Sequence, residues 1–417
     1  MIKKVLLITL IGIMLLSVGC SNDKGEIIDE DNNNLEEEIV DENDKDKEKE
    51  EEVDEIEEIV NSMTLDEKIG QLLVFGLDGT VMDEHVKEMI EKNNIGGFIL
   101  FGNNISDENQ TVELLNSLKR TNAQNPIPLF LATDEEGGMV SRLPDSFSKL
   151  PNAKKIGDMN DRNISLEYGK ILGARIKELG FNMNFAPVLD INSNPNNPVI
   201  GNRAFGSDVD TVVDNGLQVM RGINSEKVIS VVKHFPGHGD TNTDSHIDLP
   251  VIDKEINELE NLELVPFKEA INTDVDGIMI AHILFQKLDA HNPSTLSYDI
   301  INGLLREKSS YDGVVISDDM TMGAIADNYT IEEASAKFLK AGGDLLLICH
   351  GYENQINVLN RIKQEVESNN ITEEELDEKV YRIIRLKKAY NLQDSVIDEF
   401  SIEDVNSRTK EVLKRID

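Results

Sequence analysis

From residue 62 onward the chain repeats one unit eight times: a short, unbroken apolar run followed by an amphipathic stretch of helical spacing. The runs are 69–77 (IGQLLVFGL), 96–101 (GGFILF), 128–134 (PLFLATD), 181–190 (FNMNFAPVLD), 228–235 (VISVVKHF), 277–284 (GIMIAHIL), 313–319 (GVVISDD) and 343–350 (GDLLLICH). A strand with one wet face alternates polar and apolar residues. Unbroken runs of Val, Ile, Leu and Phe fit strands buried on both faces, as in a parallel sheet. Segments 107–122, 164–179, 208–225, 256–273 and 331–341 read as helices between them. Eight such units in about 300 residues predict an α/β fold, a (β/α)₈ barrel. A doubly wound sheet is the alternative that the pattern alone leaves open. The positions of polar residues favour the barrel. Asp134, Asp190, Lys233, His234, His282, Asp318 and His350 fall at the C-terminal ends of the runs, the face on which barrels build active sites. The expected organisation is a single catalytic domain over 61–395, with 351–392 as helices on the barrel's bottom or side and 396–417 as a helical tail.

The first sixty residues have a different texture. Lys3 and Lys4 precede the apolar run Val5–Leu16, which ends on Ser17-Val18-Gly19-Cys20. This is the layout of a secretory signal, 1–20. A cysteine directly after Gly19 resembles a bacterial lipoprotein processing site, with Ser17 where a Leu is usual, and makes Cys20 the expected lipid attachment. The protein is then expected on the outer face of the cytoplasmic membrane. Residues 21–60 hold 20 Asp and Glu against 4 Lys. Such a segment buries too little surface to offset its ordering entropy and repels itself, so a disordered acidic tether is expected there. Over the whole chain the formal net charge is −38 with no basic stripe, which argues against nucleic acid as a partner. With two cysteines, Cys20 and Cys349, no disulfide framework or thiolate metal cluster is expected, and Cys349 reads as a buried core thiol.

Three of the seven histidines, His234, His238 and His246, fall in the segment KHFPGHGDTNTDSH. It leaves the fifth run as a polar loop rich in Gly, Asp and Thr, a setting that suits a mobile catalytic loop. Asp244 two residues before His246 can accept a hydrogen bond from one ring nitrogen, freeing the other to exchange a proton near neutral pH. Two blander readings stand beside this one. His234 and His238 could be metal ligands, although Pro236 and Gly237 break any helix between them, or the loop could be purely structural. At the end of the seventh run, Asp318 is placed to attack a bound substrate, whereas Asp319 reads as a cap or a support for it. Asp134 with Arg142, Arg203, and Lys233 with His234 complete the face and suit hydrogen bonding to sugar hydroxyls. The Glu-Glu-Gly-Gly turn lacks the spacing of a phosphate loop.

Together, TDEEGG with Arg142, IGNRAFG, KHFPGHGDTNTDSH and ISDDMTM resemble glycoside hydrolase family 3, in its β-N-acetylhexosaminidase branch, over roughly residues 60–395. The resemblance implies Asp318 as nucleophile and His246 as acid/base oriented by Asp244. It implies Asp134, Arg142, Arg203, Lys233 and His234 as the residues that bind an N-acetylglucosamine ring. It further implies a retaining mechanism that requires no metal or organic cofactor. The implied partners are β-GlcNAc-terminated oligosaccharides or muropeptides. A β-glucosidase or a GlcNAc phosphorylase of the same family, and a non-catalytic wall-binding lipoprotein, are the rival readings.

Overall fold

The computed structural model describes residues 54–416. The expected signal segment, Cys20 and nearly all of the tether lie outside the described residues.

Eight parallel strands close into a barrel: Leu73–Gly76, Gly97–Ile99, Phe130–Thr133, Met183–Asn184, Ile229–Phe235, Gly277–Ile280, Val314–Asp319 and Leu345–Ile348. Each lies inside one of the eight apolar runs. The first strand pairs with the second through Val74 and Gly97, and with the eighth through Val74 and Leu347. That last pairing closes the cylinder and excludes a doubly wound sheet. Apart from Asp318 and Asp319 at the tip of the seventh strand, every barrel-strand residue is buried. One face meets the barrel axis and the other meets the helices, which is why the runs do not alternate.

The helices between strands begin where the sequence places capping side chains. Asp107 accepts from the Gln110 N–H at the start of Glu108–Asn122, and Asp161 and Asp208 do the same for Arg162–Leu179 and Val209–Ser225. Each such cap stabilises its helix by about 1 kcal/mol. The helix expected over 256–273 is two, Ile256–Asn261 and Val265–Ile271. Pro266 has no N–H to offer the carbonyl four residues back, so the chain leaves helical geometry at Leu262 and restarts.

Helix Glu373–Ala389 plugs the bottom of the barrel. Its Lys387 Nζ donates to Gln71 Oε1 at 2.8 Å, to the Gly96 carbonyl at 2.9 Å and to the Pro128 carbonyl at 2.7 Å. All three acceptors sit just before barrel strands. Burial pulls the Lys387 ammonium down to about 7. The tail forms helix Ile402–Ile416, which lays Val405, Val412 and Ile416 against the body beside Arg162–Leu179.

The expected end of the tether at residue 60 needs correction. Asp54 caps a helix over Glu55–Ser62, and the Tyr381 hydroxyl donates to Asp54 at 2.6 Å. Ile56, Ile59 and Val60 recur at helical spacing and pack against the core, with Val60 buried. That narrow stripe suffices to dock the segment although its composition is acidic.

Candidate active site

The C-terminal ends of the strands surround a cavity of about 320 Å³, lined by Phe101, Asp134, Glu136, Arg142, Phe185, Arg203, Lys233, His234, His238, His246, Met279, Asp318 and His350 among others. The volume falls at the small end of the range usual for small-molecule sites. Every substrate-binding and catalytic candidate read from the sequence lies on this cavity except Asp244, which supports it from one residue away.

The fifth strand supplies two adjacent side chains. Its register against the sixth slips between Val232 and Phe235. A bulge of this kind relaxes strict alternation, and Lys233 and His234 both reach the cavity. The Lys233–His234 and Phe235–Pro236 peptide bonds are cis.

A charged floor forms around Lys233. Its Nζ lies 2.7 Å from Asp134 Oδ1 and 2.8 Å from Glu136 Oε1. Glu136 also binds Arg203 through both oxygens, at 2.9 and 2.8 Å. Burial works against ionisation of Glu136, but Lys233 and Arg203 outweigh it and hold the carboxyl far below its ordinary range. Burial likewise opposes the Lys233 charge, and Asp134 and Glu136 reverse that and raise its pKa. Arg142 sits 3.6 Å from Asp134 and its side chain is 32% exposed, against 4% for Lys233. Its Nε has no partner among the described residues. Arg142 is therefore the most exposed member of this network.

His234 and His238 both lean on Asp190. The His234 Nδ1 lies 2.7 Å from Asp190 Oδ2, and the His238 N–H donates to Oδ1 at 2.6 Å. Burial disfavours the Asp190 charge, yet His234 and His238 together keep its pKa low. The ring nitrogens of His238 face Thr241 Oγ1 at 2.9 Å and Ser245 Oγ at 3.1 Å. Its nitrogens are thus engaged by hydroxyls, and the residue shapes the loop.

Asp318 closes the seventh strand. Among the described residues its carboxylate takes one hydrogen bond, from the Asp319 N–H to Oδ1 at 2.8 Å, and Oδ2 takes none. Burial raises its pKa, but His282, His234 and Lys233 prevail and hold the group ionised. His282 donates through Nε2 to the Asp319 carbonyl at 2.9 Å, and burial depresses its own pKa. Asp319 does not cap the following helix, whose N-cap is Met322. It supports instead: it receives the Thr321 N–H at 2.9 Å and the Cys349 N–H at 3.1 Å, tying the turn after Asp318 to the eighth strand. Cys349 is buried, as its apolar run implies.

The loop after the fifth strand carries His246 to the same cavity. Its Nδ1 lies 2.8 Å from Asp244 Oδ1, which also accepts the His246 N–H at 2.9 Å. Burial disfavours the Asp244 charge, and these two contacts overcome it. The imidazole side chain is 63% exposed, and among the described residues Nε2 makes no hydrogen bond. A half-buried, ionised carboxylate and an imidazole steered by a second carboxylate thus share one polar pocket, a set able to attack a carbon and move a proton.

Residue-type reasoning passed over Glu136, Asp190, His282 and Ser245 as site members. Asp190 and His282 carried one signal, their places at strand ends. Glu136 was visible only as part of the Glu-Glu-Gly-Gly turn, and nothing marked Ser245.

A family model described as the glycosyl hydrolase family 3 N-terminal domain matches residues 64–386. The chain is 33% identical over 332 residues to β-hexosaminidase A of Pseudoalteromonas piscicida, covering 74% of this chain and 56% of that relative. It therefore spans little more than half of that protein's length. To the β-hexosaminidase of Nitrosomonas eutropha it is 32% identical over 299 residues, 70% of this chain and 84% of the relative. Among solved structures, a family 3 β-N-acetylglucosaminidase from Paenibacillus sp. superposes with a TM-score of 0.80 at 38% identity, covering 84% of this chain and 68% of that one. A β-N-acetylglucosaminidase from Thermotoga maritima gives 0.68 at 28% identity, covering 83% and 71%. Barrel, motifs and matched span agree: this chain is a glycoside hydrolase and belongs to glycoside hydrolase family 3.

Proposed function

We propose that the protein is a retaining exo-β-N-acetylglucosaminidase acting on terminal β-linked GlcNAc of peptidoglycan-derived fragments. The observation that carries this reading is the convergence of Asp318 and the Asp244–His246 pair on one cavity. Lys233, Asp134, Arg142, Arg203 and His234 hold the sugar. His246 gives its Nε2 proton to the glycosidic oxygen while Asp318 Oδ2 attacks the anomeric carbon, and the bond to the leaving group breaks. Deprotonated Nε2 then takes a proton from water as that water attacks the same carbon and releases Asp318. Asp244 keeps Nδ1 as the donor, so that Nε2 is the nitrogen that exchanges. The relatives named β-hexosaminidase and β-N-acetylglucosaminidase support GlcNAc over glucose.

The test is release of nitrophenol from the β-GlcNAc and β-glucoside substrates, with and without phosphate. Fast glucoside turnover without GlcNAc release would sink the sugar assignment, and a requirement for phosphate would replace hydrolysis by phosphorolysis. A 2-fluoro or related slow substrate should label Asp318; a label elsewhere removes it as nucleophile. We also propose anchoring through Cys20, which would set the enzyme beside wall fragments. Cys20→Ala should shift the protein from the membrane fraction to the medium; unchanged membrane retention without lipid would refute the anchor.

A further inference from the structure

We infer that Ser245 is the residue that positions the acid/base, joining the loop that carries His246 to the loop that carries Asp318. The inference rests on the proposed roles of those two residues.

The base of the His246 loop is fastened by two asparagines from the loop after the fourth strand. Asn197 Nδ2 donates to the His238 carbonyl at 2.8 Å, and Asn194 Nδ2 donates to the Thr241 carbonyl at 3.0 Å. The tip is held differently. Ser245 is 2% exposed although it stands between two residues that meet solvent. Its hydroxyl faces His238 Nε2 at 3.1 Å, the one side-chain hydrogen bond among the described residues that ties segment 243–248 to anything beyond the adjoining Leu249.

The direction of that bond follows from its neighbours. The Thr241 hydroxyl donates to the His238 carbonyl at 3.1 Å. It therefore accepts from His238 Nδ1–H, which leaves Nε2 as the acceptor for the Ser245 O–H. Burial, followed by the nearby His234, pushes the His238 imidazole down to about 4, so it stays neutral in this role.

On the other side, the Ser245 carbonyl accepts from the Ala324 N–H at 3.1 Å, a few residues beyond Asp318. A Cβ on Gly323 would stand 2.8 Å from the His246 carbonyl oxygen, so the two loops touch backbone to backbone. Ser245 thus grips the fifth-strand loop by its side chain and the seventh-strand loop by its backbone, and His246 is the next residue. Loss of the hydroxyl leaves His238 Nε2 unpartnered in a buried place and frees the tip. An imidazole displaced by an ångström loses much of its effect on a proton in flight.

Protonation matters little for an activated aryl leaving group and greatly for a sugar. Ser245→Ala should therefore lower kcat/KM, which reports the step that expels the leaving group, by about tenfold or more on a GlcNAc-terminated disaccharide, while kcat/KM on dinitrophenyl β-GlcNAc falls less than about twofold. Ser245→Thr, which keeps the hydroxyl, should recover most of the disaccharide rate, and Ser245→Cys should fall between. The Cys and Thr variants carry the test if the Ala variant does not fold. Equal losses on both substrates, or no loss on either, would overturn the inference. Wild-type protein that cleaves neither GlcNAc substrate would instead bring down the functional reading beneath it.

Discussion

Glu136 holds Arg203 through both carboxylate oxygens, Nε to Oε2 at 2.9 Å and Nη2 to Oε1 at 2.8 Å, and shares Oε1 with Lys233. Glu136 and Lys233 are buried and Arg203 is largely so, and the anion stabilises two cations that would otherwise repel each other on the floor of the cavity. Removing one partner from such a cluster costs on the order of 3 kcal/mol. Glu136→Gln should therefore lower the urea midpoint by about that free energy and raise KM at least about tenfold. An unchanged midpoint together with an unchanged KM would show that the clamp holds nothing.

Gly323→Ala tests the packing of the loops that carry His246 and Asp318. The added Cβ meets the His246 carbonyl oxygen at 2.8 Å and the Ile247 carbonyl oxygen at 3.1 Å, both backbone atoms that cannot swing away. The loop must shift as a unit. We expect kcat to fall about tenfold or more with the melting temperature almost unchanged, since the contact is local. Full activity in this variant would mean that the loop tip moves freely.

Asp244→Asn removes the charge that orients His246. An amide can turn its NH2 toward Nδ1 and select the wrong tautomer, a fault that lowers kcat by up to about 10⁴ when the Asp of a Ser-His-Asp triad is changed in the same way. KM should change by less than about threefold, because Asp244 does not line the cavity. The wild-type carboxyl is held below its ordinary range. Its support is therefore present above the unfolded carboxyl's pKa and is lost as pH falls through the lower folded value. Activity limited by Asp244 should decline only below about pH 4; a loss of this contribution between pH 5 and 6 would contradict the pairing.

Asp276 lies at the opposite end of the barrel, where Asn224 Nδ2 donates to it at 3.0 Å and the Tyr390 hydroxyl also donates. Burial pushes its carboxyl from 3.8 up to about 6 despite both bonds. A folded pKa above the unfolded one favours the protonated form, so this stability is full at low pH and is lost as pH rises through about 6. Asp276→Asn keeps both acceptor contacts without the charge. It should stabilise the protein by about 2 kcal/mol at neutral pH and by almost nothing near pH 4. Denaturation midpoints at the two pH values measure this; equal shifts would show that Asp276 does not titrate in that window.

The barrel was legible because strands buried on both faces must be continuously apolar, and because polar residues gather at the C-terminal ends of eight such runs. The capped starts of Glu108–Asn122, Arg162–Leu179 and Val209–Ser225 were legible for a similar reason: a helix's orphan N–H groups call for an Asp at one definite place. Asp318, His246 and the other candidates that line the cavity could be picked out because their motifs are local in sequence. The end of the tether was misjudged because three apolar residues in an acidic stretch dock only when Glu373–Ala389 is there to receive them.

What the sequence alone determined was therefore whatever depends on near neighbours: strand and helix positions, the strand-end polar residues, and the Asp244–His246 pair two residues apart. Tertiary structure alone decided the rest. Glu136 meets Arg203 across 67 positions, Asp190 meets His234 across 44, and Ser245 meets Ala324 from another strand's loop. Those contacts set the charges and fix the geometry, and no local pattern encodes them, because barrel closure is what brings distant strand ends onto one face.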